Sequence, residues 1–159
     1  MAQVRAVQDA DWPAIVAIQA QAYAPELLES EEALRAKGQM RPNLCSVLED
    51  GEGIRAYCLA HAWSADSAPS LHATSHQHCD SDNIFLHDLA LQPSCRGLGY
   101  ARLLLDDILA QARAANFRSF TLVAVQNSAP FWSRFGFVAD ERSLPASYGE
   151  GAVFMSLRL

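Results

Sequence analysis

The stretch Ile84-Phe85-Leu86-His87-Asp88-Leu89-Ala90-Leu91-Gln92-Pro93-Ser94-Cys95-Arg96-Gly97-Leu98-Gly99-Tyr100-Ala101-Arg102 sets a strand, a glycine-bearing turn and a helix start end to end, with no spacer. Ile84 to Leu91 reads as a mostly buried strand and Gln92 to Gly99 as the turn. Tyr100 to Ala115 reads as a helix whose apolar stripe is Leu103, Leu104, Ile108 and Ala112. Such a junction leaves the backbone N–H groups from Gly97 to Arg102 at the positive end of a helix, where phosphate oxygens can accept them. Glycine at 97 and 99 permits close backbone approach, and Arg96 adds a planar, permanent positive charge. The ligand expected from this turn carries a pyrophosphate.

Spacing separates the kinds of phosphate loop. A P-loop requires lysine and then Ser or Thr after its second glycine, but Tyr100, Ala101 and Arg102 stand there. A dinucleotide fingerprint beginning at Gly97 requires a third glycine where Arg102 stands. An ordinary strand-turn-helix junction remains open for this turn alone. The pattern Arg96-x-x-Gly99-x-Ala101 resembles the Q/R-x-x-G-x-G/A motif of the GNAT acyltransferase superfamily, whose members bind the pyrophosphate of acetyl-CoA at such a turn. Further along, Ser119 to Val125 is a β-branched, apolar run that leads into Asn127-Ser-Ala-Pro-Phe-Trp-Ser-Arg-Phe-Gly-Phe137. This resembles the second signature of the same superfamily, a strand followed by a short helix and a Gly-Phe pair. Pro130 suits a first helical turn and Gly136 a C-terminal cap. For the aromatics of this run, plain core packing is the alternative reading.

The resemblance covers nearly all of the chain and implies a single domain, residues 1–159. Val4 to Val7 reads as a strand. Asp9 or Asp11 reads as the N-cap of a helix from Trp12 to Tyr23, and Ser30 opens a second helix that Gly38 could close. Leu44 to Glu49 and Ile54 to Trp63 form a candidate hairpin across Asp50-Gly-Glu-Gly53, and strands follow near Phe137 to Ala139 and Ala152 to Leu159. The implied fold is α/β: a central mixed sheet of six to seven strands flanked by helices, with a meander before a parallel crossover.

Bulk properties bound the function. Half of the residues are hydrophobic, enough for one substantial core in 159 residues. No run is long enough to cross a bilayer and no secretory pattern opens the chain, so a soluble, cytoplasmic protein with no membrane partner is expected. The net charge of −6 and the lack of a basic stripe argue against nucleic acid. Cys45, Cys58, Cys79 and Cys95 form no C-x-x-C pair and read as reduced thiols. His72, His76, His78, Cys79, Asp80 and Asp82 crowd one segment, but their spacing matches no rigid metal site. No metal is expected, and the segment reads as a mobile loop near the acceptor site.

The resemblance implies the chemistry: an acetyl group passes from acetyl-CoA to a primary amine, here of a small-molecule acceptor, by direct attack. The amine must lose a proton, the oxyanion must be stabilised and the thiolate must leave. Free backbone N–H groups of the bulged strand would hold the thioester arm, a task that falls to Leu89, Ala90 and Leu91. The cradle proper is Arg96, Gly97, Leu98, Gly99, Tyr100, Ala101 and Arg102, with Asn127, Phe131 and Trp132 as further cofactor contacts. His87 occupies the position of the glutamate base of the polyamine acetyltransferase branch, and imidazole has a pKa suited to the role. Asp88 would orient that imidazole or bind a cationic substrate group. Trp132 stands where many members carry a proton-donating tyrosine, and indole cannot take over that role. Tyr148 is the candidate substitute, with a solvated turn tyrosine as the plainer reading. Glu26, Glu29, Glu31 and Glu32 would draw in a cationic amine, or simply form a solvated helix start. Many relatives dimerise, so the resemblance admits a homodimer. Two other classes stay open: a non-catalytic acyl-CoA-binding domain, and a protein N-acetyltransferase.

Overall fold

A computed structural model describes residues 1–159. Seven strands form one sheet in the order β1-β2-β3-β4-β5-β7-β6, with β1 Gln3–Ala6, β2 Ser46–Asp50, β3 Gly53–Ala62, β4 Asn83–Leu91, β5 Ser119–Ala124, β6 Val138–Ala139 and β7 Val153–Arg158. Helices α1 (Trp12–Ala22) and α2 (Glu31–Gln39) cover one face. Helix α3 (Tyr100–Ala114) covers the other, and the short α4 (Ala129–Ser133) follows β5. The mixed sheet expected from the sequence is present: β1 to β4 are antiparallel neighbours, β4 and β5 are parallel, and β5 and β7 are antiparallel. No helix is long and apolar enough to cross a membrane.

Two apolar layers follow from the alternation along β3 and β4. Cys58, Ala60, Ile84 and Leu86 face α3, while Tyr57, Leu59 and Ala90 face α1 and α2 with Trp12, Ile15, Ile18 and Leu34. The stripe of α3 is Leu104, Leu105, Ile108, Leu109 and Ala112. Leu103 is 43% exposed, contrary to the sequence expectation, because a hundred-degree step per residue turns it off the stripe that Leu104 and Ile108 define. Gly38 does not close α2 either. It lies within the helix, where a Cβ would come within 2.9 Å of the Trp12 ring, so it serves close packing of α2 on α1. Ser30 caps α2 as expected, its hydroxyl accepting from the Ala33 N–H at 3.1 Å. The carboxylate of Asp11 precedes α1 but accepts from the Gln8 N–H and from both terminal nitrogens of Arg5, which fastens β1 to the helix start.

Two irregularities in β4 create the site. Pairing with β5 runs from Asn83 with Ser119 to Leu86 with Leu122 and stops, while β5 continues along β7 to Ala124. Residues 87–91 therefore keep one edge without a strand partner. On the other edge the register with β3 shifts: Ala60 pairs with Leu86 but Leu59 with Asp88, which leaves His87 as the extra residue of a β-bulge.

Candidate active site

The bulge decides which way side chains point. Leu86 and Leu89 both pack on the α3 side, with two residues between them instead of one. His87 packs edge-on to Phe85 at 4.7 Å and beside His61, and Asp88 accepts hydrogen bonds from Tyr23 and Tyr57, so both residues face α1 and α2. A regular strand would have sent one of them to the opposite layer. Asp88 does not orient His87, as the sequence had suggested it could: both of its oxygens are occupied by tyrosine hydroxyls.

A cavity of about 590 Å³ opens where β4 and β5 diverge. Its walls include His87 to Leu91, Leu122 and Val123, with Arg96, Gly97 and Ala101 at one end and Tyr23, Glu29, Leu71 and Tyr148 elsewhere on its lining. Phe131 and Trp132 of α4 also line it; Asn127 does not, and sits exposed with φ 59°. Gln126 spans α1 and the end of β5, its side-chain amide accepting from Ala24 N–H at 2.8 Å and donating to the Ala22 carbonyl at 3.2 Å.

At the cradle, Gly97 and Gly99 adopt φ 81° and 78°, a region costly for other residues, and this turns the chain into α3. The N–H groups of Gly97, Gly99, Tyr100, Ala101 and Arg102 have no acceptor within the protein. The turn is braced by Arg55, which reaches Cys95 Sγ at 3.0 Å and Ser94 Oγ at 3.2 Å. The Tyr100 hydroxyl donates to Asp50 at 2.8 Å, and the Arg102 guanidinium stacks over Phe135 at 4.8 Å. These two side chains thus pin the helix start, and only their backbone N–H groups remain for a ligand. Leu98 is exposed. Because Gln92 N–H donates to Arg55 on β3, the alternation along the strand directs the Leu91 and Leu89 N–H groups to the open edge, and Ala90 N–H toward β3.

The other end is built from titratable groups. Asp88 is 7% exposed, and burial pushes its carboxyl up to about 6 against the opposing effect of two tyrosine donors. Burial and the Asp88 charge push both Tyr23 and Tyr57 upward, so they remain neutral donors. Burial drives His87 well below the ordinary imidazole value, reinforced by Lys37, His61 and His76. Lys37, fully buried, forms an ion pair with Glu29 at 2.7 Å. Of the four expected steering carboxylates only Glu29 reaches the cavity, already neutralised; Glu31 pairs with Arg35 at 2.9 Å, and Glu26 and Glu32 are exposed. Tyr148 is buried rather than solvated, and its hydroxyl donates to the Pro69 carbonyl at 2.6 Å. The segment between β3 and β4 is anchored there and by the His72 N–H, which donates to Glu29 at 3.0 Å. Sequence reasoning missed Tyr23, Tyr57, His61 and Lys37, none of which belongs to a local motif.

These features define an acyltransferase class: a splayed parallel strand pair, a bulge, and an N–H cradle at a helix start. The chain belongs to the acetyltransferase (GNAT) family, whose family model matches residues 5–137. No curated protein matches it. Among solved structures it resembles the ribosomal-protein-S18-alanine N-acetyltransferase from Escherichia coli, with 18% identity over 99% of this chain and 94% of that one, and a TM-score of 0.76. Ard1 from Thermoplasma volcanium has a TM-score of 0.76 at 16% identity, over 99% and 97% of the two chains. A GNAT family acetyltransferase from Brucella melitensis, solved with acetyl-CoA, has a TM-score of 0.66 at 19% identity, over 100% and 88%. At such identities the likeness is one of fold.

Proposed function

We propose that this protein transfers an acetyl group from acetyl-CoA to the primary amine of a small acceptor. The observation that carries the reading is the divergence of β4 from β5, which joins an unpaired N–H cradle to a bulge presenting His87 and Asp88 in one cavity. The cradle fits a pyrophosphate: five N–H groups without acceptors, positive-φ glycines with open space beside them, and an exposed Arg96 side chain at its edge. Leu89 and Leu91 N–H groups would hold the pantetheine arm and the thioester carbonyl, where a preorganised donor stabilises developing negative charge. When bound, acetyl-CoA supplies the activated acyl group.

At the acceptor end, the Asp88 carboxyl is pushed up to about 6 and already accepts from Tyr23 and Tyr57, so what it would offer an arriving ammonium is nearby negative charge, not a free oxygen. His87, kept neutral and with neither ring nitrogen hydrogen-bonded, takes up the proton that the amine must lose. Trp132 forms part of the wall. The donor role expected of Tyr148 requires it first to release Pro69. A small acceptor is supported by the anchored segment at this end, where Leu71 lines the cavity and Tyr148 and Glu29 hold the backbone on either side of it.

The test is CoA release by the purified protein across a panel of small cationic, neutral and acidic amines and of peptides with free N-termini. Turnover with a small amine and none with peptides is expected. Tight binding of acetyl-CoA with no release for any amine would make the chain a binding domain, and a preference for peptides would place it with the protein-modifying enzymes.

A further inference from the structure

His61 of β3, His76 of the β3–β4 segment and His87 of β4 lie ring to ring. Centroids are 5.0 Å apart for His61 and His87, 5.6 Å for His76 and His87, and 5.7 Å for His61 and His76. Trp63 stands edge-on to His61 and His76 at 5.9 and 6.0 Å. Only His87 reaches the cavity wall. His61 Nδ1 meets the Ala62 carbonyl at 2.9 Å, and since a carbonyl only accepts, that nitrogen carries the proton and Nε2 holds a lone pair. His61 Nε2, His76 Nε2 and both nitrogens of His87 are buried without a partner. His76 is only partly buried and its Nδ1 makes no hydrogen bond within the protein, so this ring joins the cluster through Nε2 and leads from it toward the surface. The Trp63 indole N–H is buried without a partner as well, and five such atoms in one cluster of rings are uncommon in a folded protein.

The surroundings oppose charge at His87. Lys37, paired to Glu29, raises the cost of an imidazolium, Phe85 and Trp63 offer no acceptor, and the oxygens of the neighbouring Asp88 are taken by Tyr23 and Tyr57. A proton accepted there must move on before the next turnover.

We propose that His87, His61 and His76 form one proton-exit path from the acceptor site to solvent, with His76 as its outlet. This rests on the reading of His87 as the group that takes the acceptor's proton. The N–H bond of the ammonium breaks and an N–H bond forms on His87. His87 then passes a proton to His76 Nε2, directly or across one water, and His76 releases its Nδ1 proton to solvent or buffer. His61 can share the proton at Nε2 but cannot export it, because its Nδ1 is tied to Ala62. All three rings end neutral, with His76 as the Nε2–H tautomer, and exchange of its two ring protons with water restores the Nε2 lone pair before the next turnover. His76 and His61 act through His87 and are positioning and proton-accepting partners, not groups that touch the substrate.

The full chain labelled with ¹⁵N-histidine tests the coupling without any acceptor. The three imidazoles should titrate as a linked set, and His76→Gln and His61→Gln should each move the apparent titration and tautomer of His87. Unchanged His87 signals in both variants would overturn the path. Turnover gives the second arm, with the amine that releases CoA fastest in the panel above. His76→Ala should lower kcat about ten-fold or more in dilute buffer, leave KM for acetyl-CoA unchanged, and recover as free imidazole is added. A loss that imidazole does not relieve would make His76 a structural support only. His87→Gln separates the two readings: parental turnover in that variant defeats the base assignment, whereas a large loss there combined with parental His76→Ala kinetics defeats the exit path alone.

Discussion

The two ends of the cavity are made in opposite ways. The cradle is backbone: the free N–H groups of Gly97 and of Gly99 to Arg102, presented by two positive-φ glycines and largely indifferent to the side chains between them. The proposed acceptor end is side chains: Asp88, two tyrosines, three imidazoles and a buried Lys37–Glu29 pair, drawn from α1, α2, β3, β4 and their connections. Backbone donors at a helix start cost little to leave free while water can reach them. Buried titratable groups are stable only if every neighbour is in place. Substitution should therefore damage binding at one end and folding or protonation at the other.

The largest effect is expected at Lys37. It is fully buried and its partner Glu29 is 8% exposed, so Lys37→Met should leave an uncompensated carboxylate and cost about 3–5 kcal/mol in urea unfolding. The double variant Lys37→Met with Glu29→Gln should recover much of that loss. A single variant as stable as the parent would mean that the pair is not a structural anchor of this end.

At the cradle, Gly99→Val should act on ligand affinity. Nothing stands within 4 Å of the missing Cβ, so the penalty comes from φ 78° and from the altered path of the chain, not from a clash. Acetyl-CoA at about a hundred times its parental Kd should stabilise the parent by roughly 2.7 kcal/mol and the variant far less. An intact variant showing the parental thermal shift would refute the cradle.

The same contrast explains what the sequence revealed. Strand, turn and helix at the cradle are contiguous, so glycine spacing and apolar periodicity expose them; even there the stripe of α3 was misplaced at Leu103, since a run of three leucines hides its own phase. The order of elements and the mixed sheet were legible for the same local reason. The acceptor end was not. Tyr57 and Asp88 are 31 residues apart, and Tyr23 and Asp88 are 65 apart, so no motif links them. The direction in which His87 points depends on a one-residue register shift against β3 that His87-Asp88 itself does not encode. Gly38 resembles a helix stop in sequence for a related reason: its need for space comes from Trp12, across a helix interface.

Asp88 and the imidazoles should pull stability in opposite directions with pH. The Asp88 carboxyl, pushed up to about 6, keeps its proton in the folded chain after the unfolded chain has lost it near 4. Its contribution to stability is therefore full below about pH 4 and is lost as pH rises to about 6. His61 is pushed down to about 4 and His87 and His76 also downward, so their contribution is lost as pH falls below about 6.5. Asp88→Asn removes only the first trend. Relative to the parent, the variant should gain on the order of 2 kcal/mol between pH 4 and pH 7 in urea titrations. A difference independent of pH would mean that Asp88 titrates at its ordinary value.

The smallest effect is expected at Tyr148. Its hydroxyl is buried on the Pro69 carbonyl, and burial pushes its pKa far upward, so it is placed to hold the β3–β4 segment and is poorly suited to proton donation. Tyr148→Phe should cost about 1 kcal/mol of stability, the worth of one neutral hydrogen bond. With the segment less firmly held, KM for the amine should rise while kcat stays within a few-fold and the pH profile keeps its shape. A hundred-fold fall in kcat with unchanged acetyl-CoA affinity and a lost alkaline limb would require that the tyrosine leave Pro69 during turnover and act as the proton donor that Trp132 cannot be.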